Sequence, residues 1–159
     1  METAIPLFIA DVHLGKLASM LRMLGFDTVY SNTFSNAALV NIALEQQCVL
    51  LTRNVTIGRH QHALQTFIII HDAPAEQLKT VLQHFHLLAH IQPFSRCMVC
   101  NGALEPVAKE TVINELPEKT AQYYHQFWQC THCRRFYWKG PHYNRMVHFI
   151  QKITGDSIR

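Results

Sequence analysis

No apolar stretch in this chain approaches the roughly 18 residues a membrane-spanning helix needs; the longest aliphatic or aromatic run is Phe67-Ile68-Ile69-Ile70. No basic segment followed by an apolar one opens the sequence, so no signal peptide is expected. Charge is scarce, with 16% of the 159 residues being Asp, Glu, Lys or Arg. The net charge of +3 is too small to demand a polyanionic partner. Internal repeats and low-complexity segments are absent as well. What is present is a globular composition: 48% of the residues are hydrophobic, which excludes disorder as the main state. The length suits one domain of usual size, or one domain with a small appendix.

The charge is unevenly spread. Residues 1–95 carry only Lys16, Arg22, Arg53, Arg59 and Lys79 as cations, against six acids. Residues 96–159 carry nine Lys and Arg against five acids, so the basic character lies in the last part of the chain. Such a local excess permits an anionic partner without requiring one. Five cysteines without an export signal point to the reducing cytoplasm, where paired thiols hold metal more often than they form disulfides.

Hydrophobic periodicity divides the chain in two. Leu7–Ala10, Thr28–Tyr30, Cys48–Thr52 and Phe67–Ile70 read as short strands, most of them apolar enough to be covered on both faces. Between them, helices are expected from Leu14 to a stop at Gly25, and from a cap at Ser35 or Asn36 through Leu39, Ile42 and Ala43. A short helix is expected around Gly58–Gln65, and a longer one begins at Pro74. The alternation predicts an α/β domain over residues 1–90 with a mainly parallel sheet flanked by helices. It stops near Ile91-Gln92-Pro93, and residues 91–159 form a second unit ending in a helix from Pro141. The apolar face of that helix, Met146, Val147, Ile150 and Ile153, reads as core or as a dimer surface.

Cys97-Met98-Val99-Cys100 and Cys130-Thr131-His132-Cys133 form two CxxC pairs separated by residues 101–129. A two-residue spacer lets one tight turn deliver two thiolates, and two such turns complete a tetrahedral Zn²⁺ site with no open position. These four cysteines are therefore the expected ligands of a structural zinc, in a ribbon spanning 97–138. His132 lies between two better ligands, and Cys48, inside an apolar strand, reads as a buried core thiol.

In open parallel α/β sheets, ligands gather beyond the carboxyl ends of the strands. Asp11 stands just past the first strand, Thr52-Arg53-Asn54 end the third, Ser35-Asn36 open a helix on the same side, and Asp72 follows the fourth. Hydrolysis of a phosphodiester at such a place uses one or two divalent ions held by several carboxylates. Here Asp11 has amides and hydroxyls as companions. Arg22 and Arg53 are placed to hold a phosphate or to pair with Asp11 and Asp27.

Several of these segments, in order, resemble one known family. The run Asp11-x-x-Leu14-Gly15-Lys16-Leu17-Ala18-x-x-Leu21-Arg22-Met23-Leu24-Gly25-Phe26-Asp27 resembles the opening of the Mut-7 C-terminal RNase-domain family, and Leu50-Leu51-Thr52-Arg53-Asn54 resembles its Leu-Leu-Thr-Arg-Asp segment. Ser95-Arg96-Cys97-x-x-Cys100-Asn101-x-x-Leu104 and Cys130-x-x-Cys133-x-x-Phe136-Tyr137-Trp138-x-Gly140-x-His142-Tyr143 are similar to its zinc-ribbon half. The resemblance implies a PIN-like α/β nuclease domain followed by a zinc ribbon and acting on RNA. It also implies Asp11 as ligand of a catalytic Mg²⁺ or Mn²⁺. Asn54 replaces the family's Asp, and Ser35 and Asn36 stand where acids are usual, so the catalytic set is Asp11, Asn54, Ser35 and Asn36 with its acidic character depleted.

The segment Arg134-Arg135-Phe136-Tyr137-Trp138-Lys139 interleaves cations with stacking surfaces, the pattern of single-stranded nucleic-acid binding. Strand alternation places Phe136 and Trp138 on a packed face and leaves Arg135, Tyr137 and Lys139 for RNA. With Lys16, Arg22 and Arg53 they form the expected RNA contacts. The sequence thus predicts a cytoplasmic PIN-like ribonuclease-family protein with a structural zinc ribbon and a depleted acidic site. Its alternatives are a catalytically inactive RNA-binding protein and a zinc-stabilised module that binds a protein partner or a second copy.

Overall fold

The structure, a computed structural model, describes residues 4–59 and 61–155. Its first unit is a parallel sheet of β1 (Phe8–Ala10), β2 (Thr28–Val29), β3 (Val49–Thr52) and β4 (Gln65–Ile68), in the order β2-β1-β3-β4. Phe8 stands opposite both Thr28 and Val49, which fixes the register of β2, β1 and β3. β1 and β3 are buried along their whole length, as expected for continuous apolar runs covered on both faces. Period-two alternation sends Phe8, Ala10, Val49 and Leu51 into one core and Ile9 and Leu50 into another.

Helices cover both faces. α1 (Gly15–Met23) and α3 (Pro74–His84) pack on the first core through Leu17, Leu21, Leu78, Val81 and Leu82. α2 (Asn36–Gln46) packs on the second through Leu39 and Ala43. Ser35 caps α2 by accepting from the Ala38 amide at 3.1 Å, and Pro74 opens α3 where an amide hydrogen is not needed. The chain leaves β1 through α1 to β2, then crosses back over β1 through α2 to reach β3. The topology therefore reverses between β1 and β3, and the crevice beyond their carboxyl ends is the natural ligand position.

Two expectations for this unit are corrected. The helix expected around Gly58–Gln65 does not form; residues 53–64 run as successive turns, with His60 outside the described residues. Bonds from the amides of Gln61 to Gly58 O and Leu64 to Gln61 O span three residues rather than four. Gly58 has φ +69°, so the chain bends away from helix there. The fourth strand spans Gln65–Ile68 instead of Phe67–Ile70, because pairing of Leu51 with Phe67 sets its register; Ile70 is left exposed.

The second unit is an antiparallel sheet of β5 (Leu104–Val107), β6 (Phe127–Cys130) and β7 (Phe136–Tyr137), in that order. Two short helices, α4 (Lys109–Val112) and α5 (Glu118–Tyr123), fill the excursion between β5 and β6. Val112, Leu116 and Phe127 make its small core, and Phe136 and Trp138 pack against it as alternation predicts. The terminal helix α6 (Pro141–Thr154) returns to the first unit: Met146 and Ile150 are buried in the core of α1 and α3. Its apolar face is thus core, with the Ile153 side chain outside the described part. Among the described residues, no helix is long and apolar enough to cross a membrane.

Candidate metal centre and strand-end site

Each CxxC pair forms a knuckle closed by a residue in left-handed conformation, Asn101 at φ 69° and Arg134 at φ 68°. The two knuckles repeat one hydrogen-bond pattern. Asn101 N donates to Cys97 O and Cys97 N to Gly102 O; Arg134 N donates to Cys130 O and Cys130 N to Arg135 O. The four sulfurs lie within 4.8 Å of one another, with Cys97 to Cys133 at 3.6 Å and Cys100 to Cys130 at 3.4 Å. A Zn–S bond of about 2.3 Å implies tetrahedral sulfur–sulfur edges of ~3.8 Å, close to these separations and far from the ~2.05 Å of a disulfide. Backbone amides of Gly102, His132 and Cys133 each approach a sulfur at 3.4 Å, as an anionic thiolate requires. A Cβ at Gly102 would stand 3.0 Å from the Cys130 sulfur and 3.2 Å from that of Cys100, so only glycine leaves the cage its space. The four cysteines are positioned to bind a metal ion, consistent with structural zinc. His132 contributes only its amide.

Tyr137 completes the cage. Its hydroxyl lies 2.9 Å from the Cys97 sulfur and accepts from the Met98 amide at 3.2 Å. Burial and the bond to Cys97 raise the Tyr137 pKa, so it remains the donor. Burial alone would raise the Cys97 thiol, but the Tyr137 hydroxyl and the Cys100 and Val99 amides outweigh it and bring it down to about 7.

At the strand ends, Asp11 is 5% exposed and already accepts three hydrogen bonds. His13 N donates to Oδ1 at 2.8 Å, while the Thr52 hydroxyl at 2.7 Å and Arg53 N at 3.2 Å donate to Oδ2. The Thr52 hydroxyl in turn accepts from Asn54 N at 3.0 Å, so it joins the end of β3 to that of β1. Asn54 turns its side chain onto its own loop, Oδ1 accepting from Thr56 N and Thr56 Oγ1. Asn36 and Asn54 share an open groove with Asn41, Arg59 and Gln61; Asp11 and Ser35 do not line it. Among the described residues, no carboxylates gather here into a cluster that could hold a metal ion. Thr52→Val is expected to destabilise the protein by about 1–3 kcal/mol, because a buried carboxylate loses a donor; urea unfolding measures this.

The family model of the Mut7-C RNAse domain matches residues 6–150. The chain belongs to that family. Comparison with curated proteins and with solved structures finds no match.

In this Mut7-C chain the motifs of the two halves meet. The Arg22 guanidinium, on a residue only 6% exposed, donates through Nε to Thr28 O at 2.9 Å and through Nη1 to Met98 O and Val99 O at 3.1 and 3.0 Å. Asn101, closing the first knuckle, accepts from Thr28 N at 3.1 Å and donates to Asp27 Oδ1 at 2.7 Å. Arg96 stands 3.8 Å from the same carboxylate. In the sequence Asn101 stands only within the Cys97-x-x-Cys100-Asn101 motif; an Asn directly after a knuckle, tolerant of positive φ, is the signal for its role.

Several expected RNA contacts are placed otherwise. Arg22 and Tyr137, read as facing RNA, turn inward to the metal centre, because the first knuckle supplies partners for both: Cys97 Sγ and Met98 N for the Tyr137 hydroxyl, and the Met98 and Val99 carbonyls for Arg22. Arg53 donates to His71 O and pairs at 2.7 Å with Asp72, not with Asp11 or Asp27. Lys16, Arg135 and Lys139 are exposed, with the Lys139 ammonium 5.5 Å from the centre of the Tyr143 ring.

Proposed function

We propose that the protein binds single-stranded RNA through the exposed cations of its second unit, on a scaffold built around a structural Zn²⁺, and that its strand-end site does not hold the divalent metal of a hydrolase. The observation that carries this reading is Asp11 itself: its carboxylate is held by three protein donors and its neighbours are amides and hydroxyls. Mg²⁺ gives up its water reluctantly and relies on anionic oxygens to replace it, so a single, already engaged carboxylate is a weak site. Arg134, Arg135 and Lys139 offer the phosphate-neutralising charge, with Lys16 a further contact beside the strand ends. A tetrathiolate set favours zinc among the divalent metals.

One observation favours a second reading, a Mg²⁺- or Mn²⁺-dependent endonuclease: Asp11 stands at the topological reversal, where α/β proteins hold their ligands. A labelled single-stranded RNA separates the two. The expected result is salt-sensitive binding, weakened roughly tenfold in an Arg135→Gln/Lys139→Gln double variant, with a salt slope reduced by ~0.7 per lost phosphate contact. Cleavage in Mn²⁺ or Mg²⁺ should not exceed that of an identically prepared Asp11→Asn variant. Metal-dependent cleavage that disappears in Asp11→Asn would establish the endonuclease instead.

A further inference from the structure

Arg22 belongs to the opening motif of the chain, yet two of its three hydrogen bonds lie in a knuckle more than seventy residues away, |i−j| being 76 and 77. The carbonyls it grips are those of Met98 and Val99, the two spacer residues between Cys97 and Cys100. In a trans peptide the C=O and the following N–H point in opposite directions. The N–H groups of these same two peptides belong to Val99 and Cys100, and both act to lower the Cys97 pKa against the raising effect of burial. Pulling the two carbonyls towards the guanidinium therefore aims the two amides at the sulfur and polarises them.

Charge points the same way. Four thiolates around a Zn²⁺ leave a net charge of −2, and a partly buried anion is costly unless compensated. Burial lowers the Arg22 pKa, and the Cys100 and Cys97 thiolates, followed by Asp27, act against that lowering. An arginine keeps its charge in such surroundings, and its planar fork engages two acceptors at once.

We propose that Arg22 is a positioning residue of the metal centre, acting on Cys97 through the Met98 and Val99 peptides and compensating the negative charge of the tetrathiolate. This inference rests on the zinc reading above. Its competitor is a purely structural Arg22 that docks the second unit onto β2.

The test compares the full-length protein with Arg22→Met, Arg22→Lys and Asp27→Ala. Asp27→Ala removes the Asn101–Asp27 docking bond but leaves Arg22 on the knuckle. Zn²⁺ affinity is read by competition with a chromophoric chelator. The sulfur-to-metal charge-transfer band after Co²⁺ substitution reports the thiolates directly. Residues that orient metal ligands typically alter affinity 10–100-fold, and a loss of about that size is expected for Arg22→Met, with a displaced Co²⁺ band. Arg22→Lys keeps the charge without the fork and should lose less; it carries the test if Arg22→Met fails to fold. Asp27→Ala should leave both readings near wild type. Unchanged affinity and spectrum in the Arg22 variants, or an equal loss in Asp27→Ala, overturns the proposal while leaving the zinc reading intact. A wild-type protein that takes up no Zn²⁺ overturns both.

Discussion

A Cys100→Ser variant is expected to lose its zinc and, with it, the folded state of the second unit. Apparent binding energies of structural zinc are about 10–16 kcal/mol, and in small metal-stabilised units this is folding energy. The second unit has little else to rely on, since its buried core is Val112, Leu116 and Phe127. Both tryptophans of the chain, Trp128 and Trp138, lie in this unit, so their fluorescence reports on it alone. Trp128 stacks on Phe94 with ring centres 4.2 Å apart, and Trp138 packs near Phe127 and Tyr124. Wild-type protein should show one equivalent of zinc by elemental analysis and a blue-shifted emission that moves to the red in Cys100→Ser or with excess chelator. Emission that stays unchanged after complete removal of the metal would contradict this dependence.

Gly25→Ala is expected to destabilise the whole protein by about 3–5 kcal/mol, with contributions from a disfavoured backbone conformation and from overpacking. Gly25 has φ +95°, a region essentially closed to residues with a Cβ. The added carbon would lie 2.5 Å from both Gln92 O and Ser95 Oγ. Neither neighbour is free to yield: Gln92 N donates to Leu24 O at 2.8 Å, and the Ser95 hydroxyl donates to Gln92 O at 2.6 Å. Gly25 thus marks where the connection between the units crosses the end of α1. A fall in melting temperature of roughly 6–20 °C follows for a chain of this size, readable by circular dichroism. A change within 2 °C, as expected of a tolerant surface turn, would show that the close approach is not rigid.

The parts of this protein legible in its sequence are those set by local rules. Continuous apolar runs identify β1 and β3, a serine cap and a proline mark the starts of α2 and α3, and the spacing of Cys97, Cys100, Cys130 and Cys133 specifies their convergence. Alternation correctly separates Phe136 and Trp138 from Tyr137. It cannot say what lies opposite the second face, and so Tyr137 reads as a solvent-facing aromatic although it bonds to Cys97. Arg22 is harder still. A cation on an otherwise amphipathic helix looks like a surface residue until the second unit supplies carbonyls to receive it. At the strand ends, the position of Asp11 is readable from topology, whereas its three donors come from the backbone turn and from β3. The turns after β3 are signalled by Asn54 and Gly58, although the residues around Gly58–Gln65 read as a short helix.

The meeting of the first knuckle with β2 has a consequence for solubility. β2 is an outer strand, and outer strands offer unpaired backbone groups on which another chain can build a sheet. Here Asn101 takes the Thr28 N–H and Arg22 takes the Thr28 C=O, so both polar groups of that residue are already engaged by side chains. The knuckle is therefore an edge guard. Loss of the metal would release the Thr28 N–H from Asn101 and leave β2, like β4, a more open edge for foreign strands, so metal-depleted protein is expected to aggregate more readily.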